Sequence, residues 1–493
     1  MRQPGTAWAL AALVGLTAGP LQAQDLLAAW RGAEQYDRAL AVARADHAAS
    51  QARREQADAL GRPRVSVGLG AGWGNSQQRM QGAQFSTPAM GTSDGVDFGT
   101  SVNSGLATRA AVTAQYPLLN PARDASQAQL RTGADMGDAA WRAAQNQAML
   151  RTVQRYFELA MAEEALRVAE RQAGAVQRAQ VEAHDRFELG ESPVTDTHEA
   201  DAALAGMRAQ VEAARLQWTL ARQALADVTG LPEPTARLPL RDVAPGENLP
   251  YWIDAAMAAN PQLRLAQQGV QLAEQELAKR RAAGRPTLDL VAQAGLDRIH
   301  GHGDYGRATN RNSNALLGVQ LNIPLYDGGM SRAQASEGAR LLDKAQAQLE
   351  QAREQVAEQV RTAWLGWQSS QARVAALEDG LNASAARLDA TRLGRKVGDR
   401  TLLDVLNAEN DHARAALALA QARTEQVQQR LRLAALADRL DDTLLAQVNA
   451  ALAESQARAP GQPAAEPPSR TSSGKAGRAS VARVQSVDRK VNP

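Results

Sequence analysis

The residues best suited to chemistry sit beside two chain reversals. Gly190-Glu191-Ser192-Pro193 is followed by Thr195 and Asp196, and Gly398-Asp399-Arg400-Thr401 by Asp404 and Asn407. Arg395 and Arg400 flank the second reversal. Asp and Thr at a helix start ordinarily cap its free amides. Asp404 and Asn407 lie three apart, so they share one helix face. These groups can make polar links, but they do not make a nucleophile with its base. His300-Gly301-His302-Gly303-Asp304 has metal-binding side chains, yet its polar, Gly-rich setting reads as a solvated loop. Gly68-Leu69-Gly70-Ala71-Gly72 is no dinucleotide fingerprint, because no helix follows it. The chain has no cysteine, which removes disulfides, thiolate catalysis and a lipid-attachment site. No enzyme activity, cofactor or resident metal is expected.

The elements that must position these residues are long. The 493 residues carry 55 basic and 53 acidic side chains, net +2, without the basic patch that nucleic-acid binding requires. Residues 1–23 read as a signal peptide: Arg2, an apolar run over 7–19, then Leu21-Gln22-Ala23. No later run reaches the roughly 18 apolar residues of a membrane helix. A bilayer-spanning form must therefore be a β-barrel.

The chain repeats itself. Gly61-Arg62-Pro63 is echoed by Gly284-Arg285-Pro286, Gln115-Tyr116-Pro117-Leu118 by Asn322-Ile323-Pro324-Leu325, and Leu189-Gly190 with Asp196 by Val397-Gly398 with Asp404. A first repeat over 24–230 and a second over 251–445 are expected, joined by a Pro-rich connector at 231–250. Helical periodicity covers 26–60 and 252–283, each ended by a proline. Strands are predicted over 64–73, 106–118, 287–296 and 315–325, with Gly-rich loops over 74–105 and 297–314. Trp73, Tyr116 and Tyr326 fall near strand ends, where an aromatic suits a membrane interface or ordinary packing. Proline-free helices follow over 121–189 and 330–397, and return helices over 194–229 and 401–440. Residues 456–493 are Pro/Ser/Ala/Arg-rich and read as a disordered tail. Four strands cannot close a barrel, which needs about eight. Two copies would supply eight strands and three would supply twelve; sequence does not choose between them.

At this point a family resemblance becomes specific. Ile323-Pro324-Leu325-Tyr326-Asp327-Gly328-Gly329-Met330 resembles the strand-to-helix junction of the TolC family of outer-membrane efflux and secretion proteins. Val397-Gly398-Asp399-Arg400-Thr401-Leu402-Leu403-Asp404-Val405-Leu406-Asn407-Ala408 resembles its tip turn. The likeness covers about residues 25 to 445. It implies a mainly α protein with a β-barrel portion. The homotrimer would form a twelve-stranded barrel in outer-membrane lipid, continued by a periplasmic α-helical barrel. It further implies a periplasmic adaptor and an inner-membrane pump of the ABC or RND type as partners. The missing cysteine leans towards the non-lipidated, type I secretion-like branch. Carried over residue by residue, Thr195, Asp196, Arg395, Arg400, Asp404 and Asn407 become a periplasmic gate. Arg395 stands where the family's best-known member has a tyrosine and is expected to pair with Asp196. Two alternatives stay open: a periplasmic coiled-coil or adhesin-like protein without a channel, and an enzyme with a helical accessory domain.

Overall fold

The computed structural model describes residues 25–89, 91–239, 246–304 and 306–457. The expected signal peptide and nearly all of the expected tail lie outside them.

Each half begins with a broken helix. Helices α1 (Leu26–Tyr36) and α2 (Arg38–Leu60) meet at Asp37, which leaves helical geometry at φ −61°, ψ 113°. Its carboxylate accepts from the amides of Ala39 at 2.7 Å and Leu40 at 3.2 Å, and from Arg151 Nη2 at 2.9 Å. Burial works to raise its pKa, but the Arg151 bond and the two amides outweigh it, so the group stays below its ordinary value. In the second half α5 (Leu249–Ala259) and α6 (Pro261–Ala282) break in the same way at Asn260. Its amide oxygen caps Gln262 and Leu263, and its Nδ2 donates to the Leu436 carbonyl at 2.8 Å. The continuous helices expected over 26–60 and 252–283 are therefore corrected. Each is cut where a short polar side chain can satisfy the amides that the break exposes.

Four antiparallel strands follow in the order β1 (Arg64–Thr87), β2 (Gly91–Leu119), β3 (Thr287–Gly303) and β4 (Gly306–Asn322). The loops expected over 74–105 and 297–314 are mostly strand. They lack apolar alternation, but the cross-strand ladder carries on through them, with register shifts at Gly74/Ser76 and Met80/Ala83. β4 ends at Asn322, short of the expected 325, because Pro324 offers no amide to the ladder.

Register sorts the sheet into two faces. Val65, Val67, Leu69 and Trp73 lie opposite Ala114, Val112, Ala110 and Leu106. That row continues through Ala292, Ala294 and Leu296 of β3 to Leu317 and Ala315 of β4. Leu69, Trp73 and Leu317 are 79%, 79% and 75% exposed in the single chain. The other face carries Ser66, Gly68, Thr113, Arg109, Gln293 and Asp297, with Arg109 Nε 3.4 Å from Asp297. Val65 to Trp73 is about 26 Å of strand, or ~20 Å of height at a barrel tilt of about 40°. Strands β1 and β4 are the two edges of the sheet, and Asn310 Nδ2 of β4 reaches Gln78 Oε1 of β1 at 3.1 Å.

Two helical hairpins leave the other end of the sheet. Helix α3 (Pro121–Glu188) has 68 residues, about 100 Å, and returns as α4 (Val194–Thr229). Helix α7 (Met330–Lys396) has 67 and returns as α8 (Leu402–Leu436). A short α9 (Asp442–Ala457) follows, unforeseen in the sequence. Its Leu445, Val448 and Leu452 join Leu26, Trp30, Tyr156, Phe157 and Leu431 in one buried cluster midway along the helices. The Tyr156 hydroxyl accepts from the Arg237 amide at 3.1 Å, and burial pushes its pKa up to about 12. A second cluster gathers Trp252, Val356, Val360, Trp367 and Leu433.

The duplication extends to single ion pairs. Arg215 meets Glu170 at 3.5 Å and Arg423 meets Glu378 at 2.7 Å, both across a span of 45 residues. His184 meets Asp201 at 3.2 Å and Arg392 meets Glu409 at 2.9 Å, both across 17. All four members keep one offset: 170 to 378, 215 to 423, 184 to 392 and 201 to 409.

Candidate gate at the helical tip

The two hairpin turns bring the sequence-selected residues to the end of the molecule farthest from the sheet. Both reversals place a glycine at positive φ, Gly190 at 74° and Gly398 at 83°, a conformation that other L-residues rarely adopt. Each turn closes on the last turn of its helix, as the Glu191 amide donates to the Arg186 carbonyl and the Asp399 amide to Gly394.

Asp404 builds a capping box. Its amide donates to Thr401 Oγ1 at 3.1 Å, and its carboxylate accepts the Thr401 amide at 3.0 Å. The Thr401 amide and hydroxyl, with Arg400 adding a smaller attraction, hold the Asp404 carboxyl below its usual range. Asn407, one turn on, is exposed. The two therefore share a helix face next to the tip, one as a cap and one free in solvent.

Arg395 does not meet Asp196. Its Nη2 lies 2.8 Å from Oε1 of Glu182, which also receives Arg186 at 3.0 Å. Glu182 sits on α3, about two turns up from the reversal, and intercepts the guanidinium there. The link ties the second hairpin to the first, in one chain. Asp196 lies in the first turn of α4, and its amide donates to the Pro193 carbonyl at 3.1 Å. Thr195 beside it is exposed, and the buried neighbour Thr197 turns its hydroxyl back to the Val194 carbonyl at 2.7 Å. Among the described residues neither Asp196 nor Arg400 has an ion-pair partner within its own chain. Arg400 instead lays its stem against Gly394, where an added Cβ would stand 2.8 Å from Arg400 Cγ.

A second tier lies higher up. Asp201 accepts from Gln180 at 2.8 Å and pairs with His184, contacts that keep its carboxyl below the ordinary value. Arg392 and Glu409 occupy the equivalent place in the other hairpin. Glu182 and this tier were not expected from the sequence. The 17-residue spacing, present in both halves, was the signal that could have found it.

Among the described residues no three His, Cys, Asp or Glu side chains gather as a metal site, and no helix is long and apolar enough to cross a membrane. His300 Nδ1 lies 2.7 Å from Thr309 Oγ1.

Comparison with known proteins fits this geometry. The model of a family described as outer membrane efflux protein matches residues 31–231 and again 252–438, one stretch in each repeat. The outer membrane efflux protein BepC of Brucella suis biovar 1 (strain 1330) is 33% identical over 243 residues, 49% of this chain and 52% of that protein. The chain thus aligns with about half the length of that relative. The proteases secretion protein PrtF of Dickeya chrysanthemi is 26% identical over 409 residues, 82% of this chain and 85% of that one. The crystal structure of the Campylobacter jejuni CmeC outer membrane channel superposes with a TM-score of 0.67 at 14% identity, covering 92% of this chain and 98% of that one.

Proposed function

The chain belongs to the outer membrane efflux protein family, and from that premise we propose that it is an export duct with a tip gate. Three copies pair β1 of one with β4 of the next and close twelve strands in the outer membrane. The helical hairpins of the three copies form a periplasmic tunnel. A periplasmic adaptor seals that tunnel to an inner-membrane pump of the ABC or RND type, and substrate leaves the cell without entering the periplasm. The observation that carries this reading is the two-faced sheet. An exposed apolar row from Val65 to Leu317 backs onto a polar row with Arg109 and Asp297, and two helices of about 100 Å lead away from one end. A periplasmic coiled coil without a channel has no use for such a sheet.

Secreted protein is the first cargo class of this duct. The protease-secretion relative aligns over most of both chains, and no lipid-attachment cysteine is present. The relative named for efflux aligns over a shorter stretch, which keeps small molecules as the second class. At the tip, Arg395–Glu182 and the His184 and Arg392 tiers act as closing links. Thr195, Asp196 and Arg400 supply contacts to neighbouring copies, and Asp404 with Asn407 lines the narrowest ring.

Outer-membrane extraction followed by planar-bilayer recording tests the whole reading. The expected result is a detergent-requiring trimer with small, stable conductance. A monodisperse soluble monomer with no conductance ends it. Reconstitution with an ABC or an RND pump then separates the two cargo classes.

A further inference from the structure

Towards its outer end, the same face of the sheet turns basic on strands β3 and β4. Strands β3 and β4 pair without a bulge from Thr287 opposite Asn322 to Gly303 opposite Gly306, so the alternation of faces is unbroken. Past Leu296, the next positions on the apolar face are Arg298 opposite Arg311, His300 opposite Thr309, and His302 opposite Arg307. The helices leave at the other end of the strands, so these rows lie at the outer end of the apolar band, Arg298 level with Ala71 and Thr108 and His300 level with Trp73 and Leu106. All five basic residues are exposed. The nearby carboxylates are engaged elsewhere. Asp297 turns to the opposite face and Arg109, and Asp304 accepts from Asn103 Nδ2 at 2.5 Å. Arg298 and Arg311 are thus like charges set directly across two strands, an arrangement that is unfavourable by itself. An anion seated between them removes that penalty, and guanidinium forks match phosphate oxygens in pairs.

We propose that this rim seats the phosphate groups of phosphorylated glycolipid in the outer leaflet, with the acyl chains lying down the apolar rows beneath. Continuity of the two surfaces selects a lipid over a free anion, because one molecule can satisfy both. The proposal rests on the outer-membrane reading of the sheet given above.

The test uses the full-length trimer in zwitterionic detergent and low salt. It is titrated with fluorescent bisphosphorylated lipid A and with the same lipid stripped of phosphate. Each arginine near an anionic surface is worth about five-fold in affinity, so the phosphorylated lipid should bind at least ten-fold more tightly. The triple variant Arg298→Gln/Arg307→Gln/Arg311→Gln should lose that preference, whereas Arg109→Gln, on the opposite face, should keep it. Equal binding of the two lipids by the natural protein overturns the proposal, and so does an unchanged preference in the triple variant. Displacement of bound lipid A by inorganic phosphate alone overturns the lipid as occupant in favour of a free anion. Outer-membrane fractionation of the same samples separates the layers of argument. A protein absent from the membrane fails the underlying reading, whereas one present there without phosphate preference fails only this inference.

Discussion

Three Asp404 carboxylates brought to one axis oppose one another, yet in each chain the Thr401 amide and hydroxyl already hold the group below the usual carboxylate range. A depressed pKa keeps the charge as the medium acidifies, and the charge is lost only when pH falls through the folded value. Block of the channel by divalent or trivalent cations from the tip side should therefore fade only once the pH falls below the ordinary aspartate range. Asp404→Ala should abolish it; identical block in both proteins would leave Asp404 as a helix cap only. The neutral Asn407 supplies no second ring, so block stays weaker than a doubled carboxylate ring would give. The Arg395–Glu182 link is partly exposed and worth about 1 kcal/mol. Arg395→Gln and Glu182→Gln should each raise single-channel conductance, and the double variant should go no further than either. Arg395 was legible in the sequence as a cation at the tip. Its partner was not, because the expected pairing with Asp196 came from a family pattern built on a tyrosine. A guanidinium seeks the nearest carboxylate in space, and Glu182 lies on another turn of another helix.

The elements show why one repeat is not a copy of the other in behaviour. The His184–Asp201 pair is ionic only when the imidazole is protonated, whereas Arg392–Glu409 in the second hairpin is ionic throughout. Gln180 also holds Asp201, and His198 stands near it. His184→Arg should make the first hairpin match the second, with a permanent ion pair to Asp201 in place of the imidazole contact, and so lower single-channel conductance. Conductance histograms of the two proteins check this. Where α4 ends, Gly230 has φ +70°, and an added Cβ would lie 2.4 Å from the Tyr36 ring. Gly230→Ala should lower the melting temperature of the trimer, at a cost of about 2 kcal/mol or more from strain and overlap. The long helices were legible because they hold no internal proline and keep a shallow apolar stripe. The outer parts of the strands were not, because 74–105 and 297–314 carry no apolar alternation. Their ladder is made by neighbouring strands, and a single segment cannot reveal that. The breaks at Asp37 and Asn260 escaped notice for a related reason: the cap is a response to how α1 and α5 dock.

At the scale of the molecule, the chain is held at its waist. Leu445, Val448 and Leu452 of α9 close the cluster around Trp30 and Tyr156, and each such side chain contributes about 1.5–3 kcal/mol when buried. A chain stopped after Asp441 should lose heat-resistant trimers on gels, while one stopped after Ala457 should keep them. If both trimers survive heating alike, α9 is not part of the structural core. The duplicated hairpins carry a further consequence once three copies close. Six tips then stand around the axis, two from each chain, and α3–α4 and α7–α8 share one plan. A docking protein that reads only backbone shape meets a ring of sixfold symmetry. One that reads charge meets histidine and arginine in alternation, hence a threefold ring. The same rim thus offers two counts of equivalent seats, and the choice between them is written at positions 184 and 392.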